Sequence, residues 1–241
     1  VVRPLTVDDI VAAHRVCREY GAPITPRGTG TSLAGQAVNR AVIIDVSRHL
    51  NAIGTVDPDA RTVSVEPGAI NGQVTTAARA HGLIFGPDPA THAYCTIGGN
   101  LGTNACGSHS VQAALYGPGS RTPDNVESLE VLTYDGLRLT VGATPHAEFE
   151  AIVAEGGRRG AIYQAMADLA ARYASQIKER YPDIPRRVSG YNLNELLPER
   201  GFNVPRALVG TEGTCVTILR ATLLLTPALA KRALVAVVYD T

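Results

Sequence analysis

The chain has 241 residues, enough to bury a core as one large lobe or two small ones, and its 22 basic and 22 acidic side chains cancel to a formal net charge of zero. This balance argues against a nucleic-acid groove or an anionic membrane surface, and 5% aromatics with no tryptophan argue against base stacking. Because no apolar run approaches the roughly 20 residues that span a bilayer and no signal peptide is evident, we expect a cytoplasmic chain with no transmembrane segment and no nucleic-acid partner.

The four cysteines, Cys17, Cys95, Cys106 and Cys215, lie far apart in the sequence. No two of them have Cys-x-x-Cys spacing and no histidine pair flanks them, so we expect no zinc, iron–sulfur or other metal site in this chain. Buried, free thiols in a reducing compartment are the prediction for these residues.

The first predicted element is a helix that begins after Thr6. Asp9, three residues on, completes an acidic variant of the capping box, and Gly21 suits the position just past the helix end. Residues 23–25 then form a short strand that leads into a glycine-rich loop.

This loop, residues 25–36, brings together three glycines and four hydroxyl side chains. Glycines let successive N–H groups turn inward as an anion-binding nest, and an arginine fork suits phosphate oxygens. A P-loop is excluded because the stretch has no lysine, and a Gly-x-Gly-x-x-Gly motif fails at Leu33. A diphosphate site and a plain surface turn remain as alternatives. The candidate diphosphate contacts are Arg27, Gly28, Thr29, Gly30, Thr31 and Ser32.

Strands are predicted at residues 41–46 and 62–65, followed by a helix at 68–82. The order helix, strand, loop, strand, strand, helix indicates an α+β lobe with short strands.

A second informative stretch runs from residue 86 to residue 107. Prolines stiffen its beginning, and glycines, amides and hydroxyls then offer unhindered backbone with polar partners. Such a surface suits a flat polar heterocycle, whereas an irregular Gly/Asn-rich turn is the plainer alternative. The candidate contacts here are Pro87, Asp88, Thr96, Gly98, Gly99, Asn100, Thr103, Asn104 and Gly107.

Residues 124–132 are predicted to form a loop that runs into a strand, and the Asp-Gly pair at 135–136 predicts a hairpin turn before the next strand. Near the end of the chain, residues 208–217 lead into a strand at 218–225.

Between these parts, residues 142–187 look like an insertion with helical periodicity at 147–154 and 161–173. It carries one arginine pair at 158–159 and another at 186–187, which we expect to be mostly solvated. Steering of an acidic substrate or a protein partner is the alternative role for such a pair.

Four stretches together (25–36, 96–107, 124–136 and 208–217) resemble FAD-linked oxidases with the vanillyl-alcohol oxidase/p-cresol methylhydroxylase (PCMH) type of FAD-binding domain. The resemblance implies an α+β fold of two lobes with FAD between them. It places lobe one at about 1–56 and lobe two at about 57–226, with the insertion inside lobe two. Residues 227–241 would then begin a truncated cap domain.

The same resemblance implies further flavin contacts and the manner of attachment. Covalent members of the family often carry a histidine just before the serine of the glycine-rich loop; this chain has Thr31, so noncovalent FAD is expected. Cys215-Val216 replaces a Leu-Gly pair of the family, which puts a close backbone approach at Val216 in doubt. The added cofactor contacts are Val126, Glu212, Gly213 and Val216.

With its insertion the chain is most similar to long bacterial proteins related to D-2-hydroxyglutarate dehydrogenase. This implies oxidation of a D-2-hydroxy acid, of the D-2-hydroxyglutarate or D-lactate type, to the 2-oxo acid by hydride transfer to flavin N5. An iron–sulfur cluster and the catalytic base would belong to missing parts of the protein, and a membrane-peripheral location would follow only from the unknown electron acceptor. Within the chain, His92 and His109 are weak candidates for a base. A sugar or lactone oxidase using O₂, and a nonenzymatic FAD-binding assembly module, are the alternatives.

Overall fold

The structure, a computed structural model, describes residues 1–107, 110–231, 233 and 235–238, apart from the side chains of residues 111–113. Its helices are α1 (Val7–Glu19), α2 (Asn71–Arg79), α3 (Ile97–Thr103), α4 (Ser110–Tyr116), α5 (His146–Glu155), α6 (Gly157–Arg180) and α7 (Val204–Leu208). Its strands are β1 (Ile24–Arg27), β2 (Val42–Asp45), β3 (Ile53–Asp57), β4 (Thr62–Val65), β5 (Leu83–Ile84), β6 (Val126–Thr133), β7 (Arg138–Val141), β8 (Val216–Leu224) and β9 (Thr226–Pro227).

The start of α1 follows from its predicted capping box. The Asp9 N–H donates to the Thr6 hydroxyl at 3.3 Å, and the Thr6 N–H donates to the Asp9 carboxylate at 2.9 Å, so two backbone donors of the helix start are satisfied. Gly21, just past the helix, has a φ of 61°, a left-handed conformation that glycine adopts without strain. Both predictions for this helix are confirmed.

The described strands form three sheets, of which two organise the chain and the third is the short antiparallel pair β5–β9. β1 and β2 pair in parallel, and five strands form an antiparallel sheet in the order β3-β4-β8-β6-β7. The predicted Asp-Gly turn joins β6 to β7, which confirms that hairpin. β8 pairs with both β4 and β6, so it lies in the centre of the large sheet although it comes last of the five in sequence.

The two sheets meet through a small apolar cluster. Ile10 of α1 and Ile44 of β2 pack in one cluster with Leu132 of β6 and Leu219 of β8, and all four are fully buried. This packing seats α1 and the parallel pair on one face of the large sheet. Burial of each such side chain contributes about 1.5–3 kcal/mol.

The predicted insertion is helical and shares the core of the large sheet. α5 and α6 occupy most of it, and Ile152, Tyr163 and Ile177 are buried in the main apolar cluster with residues of β4, β6 and β8. Phe149 packs edge-on against Phe202 with 5.1 Å between ring centroids. The insertion is therefore a packed part of this unit.

The arginine pairs were predicted to be mostly solvated; Arg158 and Arg186 are exposed, Arg159 is half-buried, and so is Arg187. Its guanidinium donates to the side chains of Asn192, at 2.9 Å, and Asn194, at 2.6 Å, and lies 4.5 Å from the ring centroid of Tyr181. Arg158 forms an exposed ion pair with Asp135, at 2.6 Å. Arg187 thus holds a turn together. Its amide partners lie several residues away in the sequence, so no local pattern predicted these contacts.

The prediction that the four thiols are buried is wrong for two of them. Cys17 and Cys95 are buried, whereas Cys106 is half-buried and Cys215 is exposed. No helix in the described part of the chain has the length and apolar character needed to cross a membrane.

His14, on α1, is a buried titratable side chain at the contact between this helix and the large sheet. It is 2% exposed, its Nε2 lies 3.0 Å from the Thr217 hydroxyl of β8, and its Nδ1 has no hydrogen-bond partner among the described residues. Burial lowers the pKa of His14, the charge of Arg18 lowers it further, and a backbone contact at Thr133 partly opposes them.

A lowered pKa means that protonation favours the unfolded chain. The stability that His14 gives is therefore complete above the unfolded pKa of about 6.5 and is lost as the pH falls below that value. We expect the free energy of unfolding in urea to drop between pH 7 and pH 5, by at most about 1.4 kcal/mol per pH unit for this group. H14Q should show a shallower drop, and an equal drop in both proteins would contradict this role.

Candidate functional site

A cleft of about 410 Å³ lies where three segments that are distant in sequence meet. They are the loop after β1, the segment around α3, and the loop that precedes β8. A cleft of this size is in the range of small-molecule and cofactor sites.

The loop after β1 is fixed against the α3 segment. A Cβ on Gly28 would lie 2.0 Å from the Thr96 hydroxyl, so only glycine allows this close approach. The Thr29 hydroxyl donates to the Tyr94 carbonyl at 2.8 Å, and Gly30 has a φ of 75°. The loop is therefore attached to the segment before α3 by two contacts, Gly28 with Thr96 and Thr29 with Tyr94.

Arg27 brings a positive charge to this wall. Its Nη2 lies 3.7 Å from the buried Asp45 carboxylate, which also accepts the Ser47 hydroxyl at 2.6 Å. The Arg27 Nε is buried and has no hydrogen-bond partner within the described residues. A buried guanidinium donor without a partner is costly, and an anionic ligand in the cleft would satisfy it.

The α3 segment gives the cleft a second polar wall. Thr96 caps the helix by accepting the Gly99 N–H at 3.2 Å, and the Thr103 hydroxyl donates to the Gly99 carbonyl at 3.0 Å. A Cβ on Gly98 would lie 2.9 Å from Pro67. The Asn100 side-chain Nδ2 is buried without a partner in the part of the chain that the structure describes.

The third wall is a strained turn. Glu212 has a φ of 53°, a backbone conformation that residues other than glycine, asparagine and aspartate rarely adopt. Gly213, the next residue, has a φ of 71°. The Glu212 N–H donates to the Gly102 carbonyl at 3.0 Å, which attaches this turn to α3. Burial raises the pKa of the Glu212 carboxyl, and a hydrogen bond with Gln36 opposes the rise.

Most of the residues predicted from the sequence meet at this one cleft, although they come from three separate stretches. Those on its lining are Arg27, Gly28, Thr29, Gly30, Thr31, Ser32, Thr96, Gly98, Gly99, Asn100, Thr103, Glu212, Gly213 and Val216.

Five predicted residues lie off the lining. Val126 is buried in the main apolar cluster, and the Pro87 carbonyl accepts the Asn71 side chain at 2.9 Å. Asp88 and Gly107 lie against each other, since a Cβ on Gly107 would stand 1.8 Å from the Asp88 carbonyl oxygen. Asn104 is buried with a φ of 52°, and neither polar atom of its amide has a partner among the described residues. In sequence, Asn104 lies between two residues of the lining, Thr103 and Ala105.

Of the two histidines proposed as bases, His92 is not among the residues that line the cleft. His92 is exposed, with its Nδ1 3.3 Å from the Pro89 carbonyl. His109 lies outside the described residues. A catalytic role for either remains a prediction.

Sequence reasoning missed a further set of lining residues, most of them apolar or small. Several belong to stretches already singled out, but Val46, Pro67 and Ile218 carry no chemical signal and enter through the packing of the two sheets. The missed lining residues are Pro26, Leu33, Gln36, Ala37, Val46, Pro67, Pro89, Ala90, Thr91, Cys95, Gly102, Ala105, Thr211 and Ile218.

Comparison with known proteins gives the chain a family. The sequence profile of the FAD binding domain family matches residues 1–142. Among curated proteins, D-2-hydroxyglutarate dehydrogenase of Pseudomonas putida is 33% identical over 94% of this chain, and that of Escherichia coli is 31% identical over 100% of it. The glycolate oxidase subunit GlcD of Escherichia coli is 34% identical over 59% of this chain and 28% of that subunit.

The chain spans 22% of the length of the Pseudomonas putida protein and 24% of that of the Escherichia coli dehydrogenase. Among solved structures, an alkyldihydroxyacetonephosphate synthase superposes with a TM-score of 0.58 at 19% identity, over 94% of this chain and 31% of that one. At this identity the likeness shows the fold, and it confirms the predicted mixed α+β class.

Proposed function

Since this chain belongs to the FAD binding domain family, we propose that it holds FAD noncovalently in the cleft and is the flavin module of a larger D-2-hydroxy acid dehydrogenase. The observation that carries the proposal is the meeting of the loop after β1, the α3 segment and the Glu212 turn around one cavity. The dehydrogenase part rests on the similarity to D-2-hydroxyglutarate dehydrogenases across nearly the whole chain.

The residues present fit a dinucleotide. The unsatisfied Nε of Arg27 and the glycine-rich loop favour a diphosphate, and the unsatisfied Nδ2 of Asn100 favours a polar ring or sugar. Gly28 packs against Thr96 and Gly98 packs against Pro67 so closely that a Cβ would clash, and at both positions the cleft is lined by backbone without a side chain. We include in the proposal the division into lobes at about 1–56 and 57–226, with 227–241 as the start of a cap domain.

FAD, when bound, supplies the two-electron acceptor for oxidation of the hydroxy acid. The chain's own residues would bind and orient it: Arg27 by charge, the loop N–H groups by hydrogen bonds, and the α3 segment by close backbone contact. The lining contains no histidine, lysine or tyrosine among the described residues. The proposal therefore assigns the base that takes the hydroxyl proton, and most groups that bind the substrate carboxylate, to the remainder of the protein.

The test uses the full-length protein. We expect it to be purified yellow, to lose its flavin absorbance anaerobically on addition of a D-2-hydroxy acid, and to release all flavin on acid precipitation. The last result follows from Thr31, whose hydroxyl cannot form the histidyl link of covalent family members.

The outcomes separate the parts of the proposal. Flavin fluorescence that stays with the denatured polypeptide on a gel would refute noncovalent binding. Retained flavin that no hydroxy acid reduces would refute the dehydrogenase and favour an assembly module. Bleaching by sugars or lactones with fast reoxidation in air would favour an oxidase.

A further inference from the structure

A second cavity, of about 370 Å³, lies beside the first and is walled by residues 181–191. Its walls are mostly apolar side chains, with the guanidinium groups of Arg186 and Arg187 among them. It is next to the FAD cleft on two sides. The Arg186 Nη2 donates to the Cys106 sulfur at 3.1 Å, one residue from Ala105 on the cleft lining, and the Tyr191 hydroxyl contacts that of Thr214, one residue from Gly213.

The backbone on both sides of Arg186 is fixed. The Ser120 hydroxyl donates to the Pro185 carbonyl at 2.9 Å. Arg187 is held by two asparagine side chains and lies over Tyr181, whose hydroxyl donates to the Tyr191 carbonyl at 2.9 Å. Arg187 is half-buried; burial lowers the pKa of its guanidinium, and the nearby charge of Arg121 lowers it further.

Arg186 differs from Arg187 in being exposed and weakly engaged. Of its N–H donors, the described residues occupy one, and that one meets a sulfur, which is a weak acceptor. Its pKa is raised by Cys106 first, with a smaller contribution from the charge of Asp88, and no carboxylate of the described chain lies within ion-pair distance of it. A guanidinium with so little to bind gains considerably from a carboxylate, which accepts two parallel N–H bonds.

We propose that Arg186 binds a carboxylate of the substrate, and that the cavity beside it receives the substrate's carbon chain. This inference rests on the proposed function, because it takes the flavin ring to lie along the 96–107 segment. Cys106 is part of that segment, so Arg186 stands at the ring end of the cleft, where the hydroxy acid must come. The substrate class is then an anionic hydroxy acid with an apolar stem.

The experiment compares R186M, R186K and R172M in the full-length, flavin-loaded protein. Arg172 is an exposed arginine on α6 and serves as the matched control. Binding of oxalate, an unreactive carboxylate, is followed through the flavin absorbance spectrum. We expect the oxalate Kd and the KM for the best hydroxy acid to rise about ten- to a hundredfold in R186M, less in R186K, and not in R172M, while FAD content stays unchanged.

Each result decides something. If the wild-type flavin is not reduced by any hydroxy acid, the proposed function fails and this inference with it. If wild type is reduced but R186M binds oxalate as tightly, the proposed function stands and the inference is overturned. Loss of FAD from both R186M and R186K would also overturn it, because Arg186 would then hold the cofactor.

Discussion

Gly99→Val should abolish FAD binding and leave the chain folded. A Cβ on Gly99 would have one neighbour within 4 Å, the Thr96 hydroxyl at 3.3 Å, and Gly99 lines the cleft, so a larger side chain projects into the space proposed for the cofactor. Because glycine has a lower helix propensity than valine, the substitution does not lower the intrinsic helix propensity of α3. We expect a loss of affinity of at least about a hundredfold, which corresponds to about 2.7 kcal/mol. Calorimetric titration of FAD measures it, and circular dichroism reports the fold.

The matched control is Gly142→Val, which has no neighbour within 4 Å of its Cβ and is absent from the cleft lining. It should bind FAD as the wild type does. Gly30→Val is expected to lose FAD as well, but the Gly30 φ of 75° strains any valine there, so its effect on stability is harder to separate. Near-native affinity in folded Gly99→Val would refute the placement of FAD against α3.

The second large effect concerns the rate at which residues 1–241 alone pass electrons to their flavin. We expect the isolated chain to bind FAD yet to be reduced by D-2-hydroxyglutarate or D-lactate about 10²–10⁴-fold more slowly than the full-length protein. The reason is that the cleft lining, within the described residues, has no histidine, lysine or tyrosine, and the proposed function assigns the base to the remainder of the protein. A missing general base costs a factor of this order before lost substrate positioning is counted.

Anaerobic stopped-flow absorbance at saturating hydroxy acid measures both rates, and photoreduction of the isolated chain is the control that its flavin is competent. Equal rates in the two proteins would contradict the prediction and would place the base inside this chain. His92, His109 and Glu212 would then be the residues to vary first.

The polar parts of the site could be predicted because each lies in a contiguous run. Residues 27–32 and 96–103 carry glycines and hydroxyls at neighbouring positions, and this local pattern is what a backbone-lined cofactor site requires. The lining residues Val46 and Ile218 could not be found in this way, because they become neighbours only when β2 and β8 pack in one core.

Secondary structure was predictable where local signals were strong and not where packing decided. The capping box of α1 and the hairpin after β6 are written in a few adjacent residues. Helix α3 has three glycines in seven residues, which disfavours a helix by about 1 kcal/mol each, and it forms because Thr96 caps it and its apolar residues Ile97 and Leu101 are buried. Strand β3 was not predicted. Gly54 and Thr55 are both exposed and lie at a shift of register, so the strand does not show a regular alternation of apolar and polar residues.

The place of β8 has a consequence for how the protein is made. β4 and β6 do not pair with each other; β8 lies between them and pairs with both. β8 begins at Val216, about 150 residues after the end of β4 and about 80 residues after the end of β6. During synthesis on the ribosome, both edges must wait for that strand, and long-range pairing of this kind is slow to form. The Glu212 turn arrives just before β8, so the nascent chain cannot capture its cofactor until nearly all of its sheet has been translated.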